Sequence, residues 1–338
     1  MATMRRLRGP DWGALRYEIE AALRKHPAFP DSVRVDGRLR RLDAGLNHDN
    51  YVFWLAAKPR LPDALNHAFI LRKCRWEDKA SYKESVARLP REAAVLEAMA
   101  SQPKDFDVPR FVCFAGDEGD ACDALIETAV PGLPLSYTAK FAHRREFVIS
   151  VIAQIASGVH RLPVDDFECL HGHRDATEHV QALRNRLPLD ILADEPDAVR
   201  ALRWIDEHLP EGRRAVVLHG DLLPQNIQWD LDDSRLGLID WEYAQIGDPA
   251  YDLAIVTRGN AKLCGLGGGA RRLVAAYREA GGAPITPADV MLHELLLVLE
   301  WLGGAARRER RGKQEGYPPQ HYRDKIRGIL ARVESVAG

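Results

Sequence analysis

The stretch His219-Gly220-Asp221-Leu222-Leu223-Pro224-Gln225-Asn226 decides how this chain is read, together with Leu238-Ile239-Asp240-Trp241-Glu242, whose Asp240 comes fourteen residues after Asn226. Each follows an apolar segment: Ala215-Val216-Val217-Leu218 precedes His219, and Leu236-Gly237-Leu238-Ile239 precedes Asp240. The chain between Asn226 and Asp240 has the length of a hairpin, with Asp230, Asp232 and Asp233 in its turn. Two strands meeting in that way bring Asn226 and Asp240 side by side. Gly, Asp, Pro and Asn also favour plain surface turns, and the first stretch alone fits either reading. The second acidic turn favours a functional one. A carboxylate can orient an attacking hydroxyl, while an amide and a second carboxylate offer oxygen ligands to Mg²⁺ held against nucleotide phosphates. Phosphoryl transfer needs that set.

The 338 residues are too many for one small core, so two lobes are expected. A hydrophobic content of 46% with 28% charged residues is that of a soluble globular chain. The net charge of -2 gives no reason to expect nucleic acid or an anionic membrane as partner. Five cysteines without CxxC pairing point to a reducing compartment. The basic N-terminal segment is not followed by an apolar stretch, and the apolar run near Leu295 to Leu302 is short and interrupted by Glu300. The expected location is the cytoplasm. The sequence carries no sign of oligomeric state.

An amphipathic helix is expected over 11–26, capped by Asp11 and stopped before Pro27. Arg38 to Leu42, Tyr51 to Leu55, Ala68 to Lys73, Arg110 to Ala115 and Ala124 to Thr128 read as strands, and Pro90 reads as the start of a helix. Val130-Pro131-Gly132-Leu133-Pro134 breaks regular structure and sets a boundary between lobes 1–129 and 130–338. Beyond it the chain reads as helices at 143–161, 178–186, 196–209, 251–257, 269–280, 287–308 and 322–336, with short strands at 215–218, 227–229 and 236–239. The expected class is α+β, with a small antiparallel-sheet lobe and a larger, mainly helical one.

His-Gly-Asp-Leu-x-Pro-x-Asn, followed by Ile239-Asp240-Trp241-Glu242-Tyr243-Ala244-Gln245-Ile246-Gly247-Asp248-Pro249-Ala250-Tyr251-Asp252-Leu253-Ala254, resembles the aminoglycoside phosphotransferase and choline kinase family. The resemblance runs over roughly 37 to 305 and is strongest from 215 to 255. It implies a bilobal, protein-kinase-like fold and a kinase that moves the γ-phosphoryl group of ATP or GTP, with Mg²⁺, to a hydroxyl of an aminoglycoside-like antibiotic or related small molecule. A kinase for choline, a sugar or a similar metabolite is the alternative, as is a kinase-fold protein that binds without turnover.

Residue by residue, the resemblance makes Asp221 the group that accepts or orients the hydroxyl proton, Asn226 and Asp240 the metal ligands, and His219 the anchor of the catalytic loop. Asp252 would hold that loop, with a plain helix-start carboxylate as the alternative reading, and Asp248 would cap the helix after Pro249. Gly45, Asn47 and His48 fall where the family has its phosphate-covering loop, although a plain hairpin turn reads equally well there. Arg72 would grip phosphate, with Lys73 on the opposite strand face. Glu92 would orient Arg72, or else form an ordinary surface ion pair. Backbone groups of Glu127 and Ala129 would meet adenine at the hinge.

Asp175, Glu178, Glu294 and Glu300 are candidate carboxylates for a cationic acceptor, and read equally as solvated helix residues. His173-Arg174-Asp175 spells a protein-kinase triplet but has Val180 where Asn is needed, so it reads as a turn into a helix. Cys169, His171, His173 and His179 lack the paired spacing of a zinc site. Gly265-Leu266-Gly267-Gly268-Gly269 has no strand before it and reads as a flexible connection.

Overall fold

A computed structural model describes residues 10–42, 48–58, 60–62, 65, 67–75, 79–116, 122–232, 234–312 and 316–337. The chain divides into two compact units. The first comprises the chain up to Ser101 together with Val108–Val130, and the second comprises Gln102–Asp107 with Pro131–Gly338.

The first unit runs α1 (Trp12–Lys25), β1 (Arg34–Leu42), β2 (His48–Ala56), β3 (Phe69–Cys74), α2 (Lys79–Ala100), β4 (Phe111–Ala115) and β5 (Ala124–Thr128). Its strands form one antiparallel sheet in the order β1-β2-β3-β5-β4. Asp11 caps α1 by accepting the N–H groups of Gly13 and Ala14, both at 3.0 Å. Leu15, Ile19 and Leu23 of α1 pack with Phe53, Phe69, Leu71 and Ile126, while Leu89 of α2 packs with Cys74 and Leu125. The two-residue period of β3 and β5 thus divides their side chains between two helix-covered faces.

The helix expected to start at Pro90 starts at Lys79 and runs through the proline. Ser85, Leu89, Glu92, Ala93, Leu96 and Met99 form one continuous buried stripe across that point. Pro90 itself is exposed. Its missing N–H therefore costs one helical bond on the side facing water, while burial continues uninterrupted on the other.

The second unit contains β6 (Leu133–Pro134), α3 (Leu135–Thr138), α4 (Arg145–His160), α5 (Ala176–Asn185), α6 (Leu189–Leu192), α7 (Pro196–Glu207), β7 (Val216–Leu218), β8 (Ile227–Asp230), β9 (Arg235–Leu238), β10 (Gln245–Gly247), α8 (Ala250–Thr257), β11 (Lys262–Leu263), β12 (Leu266–Gly267), α9 (Gly269–Glu279), α10 (Pro287–Arg310) and α11 (Pro319–Ala337). Strands β8 and β9 form a hairpin with Ile227 opposite Leu238, and β6 pairs with β8. Strand β7 pairs with β10. The α10 helix starts at a capping box of Thr286 and Asp289, and α8, α9 and α11 pack against it.

The glycine run after Leu263 is not a flexible connection. Lys262 and Leu263 pair with Gly267 and Leu266, and the two turn residues Cys264 and Gly265 both have positive φ, 50° and 81°. A two-residue hairpin turn of that hand matches strand twist. All five cysteines are free. Among the described residues, no helix is long and apolar enough to cross a membrane.

Candidate active site

The second unit draws His219, Asp221, Asn226 and Asp240 onto two turns at one end of the β8–β9 hairpin. Strand β7 ends at Leu218 and the chain turns at Gly220, whose φ is 81°. A Cβ there would lie 2.1 Å from the carbonyl oxygen of Tyr243, so the close approach requires glycine. Leu223 N–H donates to the Asp221 carbonyl at 2.8 Å and Asn226 N–H to the Leu223 carbonyl at 2.9 Å, closing a compact loop. The Asn226 side-chain NH₂ donates to the Asp221 carbonyl at 2.9 Å and to Asp221 Oδ2 at 3.0 Å. Across the hairpin, Ile239 N–H donates to the Asn226 carbonyl at 3.0 Å, which places Asp240 next in the chain. Asp240 has a φ of 73°, a left-handed conformation that aspartate tolerates better than most residues.

His219 is fully buried. Its Nε2 lies 3.0 Å from the Ile239 carbonyl, its Nδ1 accepts the Asp221 N–H at 3.3 Å, and its ring meets the Trp241 indole edge-on. It ties the two turns together. Beneath them, Asp252 of α8 accepts the N–H groups of His219 at 2.9 Å and Gly220 at 2.8 Å. His160, at the end of α4, reaches Asp252 through Nε2 at 3.2 Å and the Tyr277 hydroxyl through Nδ1 at 2.7 Å. Burial alone would raise the Asp252 carboxyl, but His160 and the His219 and Gly220 donors hold it below the ordinary carboxylate range. It is therefore an ionised acceptor for a backbone that would otherwise have no partner.

Burial pushes the Asp221 carboxyl above its ordinary range. The His219 imidazole pulls it back, and the Asp240 carboxylate pushes it up again. Arg258, whose Nη2 lies 3.8 Å from Asp221 Oδ1, acts with His219. Two half-buried carboxylates that repel each other, with an amide locked alongside, are the kind of hard-oxygen set a small divalent cation relieves. The Asn226 NH₂ is committed to Asp221, which leaves its oxygen as the end able to ligate. The residues fit Mg²⁺.

Within the first unit, Arg72 and Glu92 form a buried ion pair, 4% and 1% exposed, and Arg72 Nη2 lies 3.4 Å from His48 Nδ1. Lys73 points to the other face, where Glu18 accepts from it at 2.7 Å. Gly45 and Asn47 lie outside the described residues. Glu127 is buried in β5, opposite Ile70 and Phe111. The Ala129 N–H donates to the Ala68 carbonyl at 2.9 Å and is committed within this unit.

The four candidate acceptor carboxylates have different surroundings. Asp175 caps α5 by accepting the Glu178 N–H at 2.9 Å, Glu178 accepts from Arg174, Glu294 is fully buried against Arg332, and Glu300 is exposed. Asp248 accepts from the Ala250 N–H at 3.1 Å, as a cap does, and also from Arg213 and His293, both at 3.0 Å. Burial works to raise its carboxyl, yet His293 and Arg213 hold it well below the ordinary range.

Two residues of this neighbourhood escaped the sequence reading. Arg258 sits at the end of α8, where Gly259 after the helical run is a recognisable stop signal. His160 ends an apolar helix with no sequence mark of its partner, Asp252, 92 positions away.

Comparison with known proteins covers most of the chain. The description "Phosphotransferase enzyme family" matches residues 38–286. An aminoglycoside 3'-phosphotransferase of Streptomyces fradiae is 32% identical over 45% of this chain and 58% of its own length. A viomycin phosphotransferase of Streptomyces vinaceus is 29% identical over 52% of this chain and 64% of its own. The chain thus spans less than two-thirds of the curated relatives it matches. A thermostable mutant of an aminoglycoside phosphotransferase, solved as a ternary complex with ADP and hygromycin B, superposes with a TM-score of 0.61 at 14% identity, over 88% of this chain and 94% of that one. That likeness shows the fold, the kinase-like α+β arrangement expected from the sequence. With its matching span well over half of the residues, the chain belongs to the phosphotransferase enzyme family.

Proposed function

We propose that this protein is a small-molecule kinase that transfers the γ-phosphoryl group of ATP or GTP to a hydroxyl of an aminoglycoside-like antibiotic. The observation that carries the reading is the pairing of Asp221 with Asn226 at 3.0 Å, on the same hairpin end as Asp240. Asp221 orients the acceptor hydroxyl and takes its proton. Asn226 and Asp240 would hold Mg²⁺, which would supply charge neutralisation at the phosphates. His219 and Asp252 keep Asp221 in place, so positioning replaces covalent chemistry. In the first unit, the buried Arg72, paired with Glu92, would be the cation that grips phosphate. The antibiotic class of acceptor is supported by relatives named for aminoglycosides and viomycin, and a nucleotide donor by the ADP in the ternary complex of the structural neighbour.

The test is an ADP- and GDP-release screen over aminoglycosides, viomycin, macrolides, choline and small sugars, each with ATP and with GTP. The expected result is Mg²⁺-dependent turnover with at least one antibiotic, reduced about 10²- to 10⁴-fold in Asp221→Asn. Turnover confined to choline or sugars sinks the antibiotic assignment, and none at all sinks the kinase.

A further inference from the structure

We propose that the C-terminal helix α11 is a positioning element for the reaction: Lys325 and Arg332, with Ile329 between them, hold the end of α8 in the conformation that presents Arg258 to Asp221. The proposal rests on the kinase reading of Asp221 and extends it to a helix outside the matched family span.

The end of α8 is an unusual piece of backbone. Arg258 is left-handed at φ 50° and ψ 37°, and Gly259 follows at φ 71°. A non-glycine residue keeps such a conformation only when its surroundings over-determine it. Here they do. Lys325 Nζ donates to the Arg258 carbonyl at 2.9 Å and to Asn260 Oδ1 at 3.2 Å. Arg332 Nη2 donates to the Gly259 carbonyl at 3.1 Å and to Glu294 Oε2 at 3.1 Å. A Cβ on Gly259 would stand 2.9 Å from Ile329 Cδ1, so glycine lets α11 come this close. Positions 325, 329 and 332 lie on one face of a helix. That face satisfies the carbonyls a helix leaves open at its C-terminus, with cations where the helix end favours them.

The consequence reaches the site through a single residue. Arg258 N–H closes on the Ala254 carbonyl at 2.7 Å, its Nε donates to the Ile255 carbonyl at 3.2 Å, and its Nη2 ends 3.8 Å from Asp221 Oδ1. With the backbone left-handed, the side chain folds back along α8 toward the catalytic turn. In the ordinary right-handed conformation, it would leave α8 in another direction. Lys325 stays close to Arg258 and Arg332 despite like charge, because the buried Glu294 carboxylate lies among them.

The test uses Lys325→Met, which keeps the side-chain length and leaves Arg332 paired with buried Glu294, and Lys325→Arg as the conservative rescue. The crystal structure of Lys325→Met should show Arg258 out of the left-handed region and its guanidinium beyond ion-pair reach of Asp221 (about 4 Å). With the acceptor that wild type turns over in the screen, kcat should fall about tenfold or more while KM for the nucleotide stays within about twofold, and Lys325→Arg should restore kcat. Arg258 remaining left-handed beside Asp221 in Lys325→Met overturns the proposal. So does a displaced Arg258 with unchanged kcat, or an equal loss in Lys325→Arg. A wild-type chain inert with every acceptor is a different failure: it removes the kinase reading and the positioning role with it, whatever the geometry of Arg258.

Discussion

The N–H of Gly220 donates to Oδ1 of Asp252 at 2.8 Å, and this bond fixes the turn that carries Asp221 from below. Gly220 has a φ of 81° and lies so close to Tyr243 that a Cβ would overlap its carbonyl oxygen. Gly220→Ala should therefore displace the turn and Asp221 with it. Turnover is expected to fall about a hundredfold, with a lower thermal midpoint, since a misplacement of an ångström costs on that scale. Unchanged kinetics would show that the turn tolerates the shift.

Asp221→Asn is nearly isosteric, and its amide oxygen can still accept from Asn226. The expected loss is about 10²- to 10⁴-fold in kcat, the range of a general base, with nucleotide affinity retained by calorimetry. Loss of affinity instead of kcat assigns Asp221 to binding.

Asp240→Asn removes the formal charge from one proposed metal ligand. The Mg²⁺ concentration for half-maximal turnover should rise at least ~tenfold, the scale seen when even an outer partner of a metal site is lost. A titration of Mg²⁺ at saturating nucleotide measures it, and chelation of divalent ions should stop turnover in wild type.

Glu92→Ala takes one carboxylate away from the buried Arg72 guanidinium. Removing one partner of a buried pair costs about 3–5 kcal/mol, which urea unfolding without ligand reads directly. A cost near zero would mean that Arg72 relaxes into water.

His179 is buried against His293, and burial followed by the neighbouring imidazoles pushes its pKa from 6.5 down to about 3. The folded state thus refuses a proton that the unfolded chain takes up below pH 6.5. Stability present above that pH should be lost as pH falls toward 3, by up to ~1.4 kcal/mol per pH unit. His179→Asn keeps an acceptor for the Asp248 N–H, which Nδ1 now accepts at 3.0 Å. Urea midpoints from pH 7 to 4 should fall less steeply in the variant than in wild type, and identical slopes would exclude His179 as the source.

What the sequence determined by itself was local. Alternating and helical periods placed most strands and helices, because a face that must be buried repeats every two or about 3.6 residues. The spacing of Asp221, Asn226 and Asp240 on one hairpin was legible for the same reason, since strand pairing brings hairpin ends together wherever the turn falls. Pro90 was misread because its effect depends on which helix face it occupies. The Lys262–Gly267 hairpin was missed because a glycine run does not announce its φ values. Only the tertiary structure decided what supports the site. His160 meets Asp252, Tyr277 meets His160, and α11 meets the end of α8 through packing between segments far apart in sequence. No periodicity encodes such contacts: they follow from which buried donors and acceptors remain unsatisfied once the helices have closed around them.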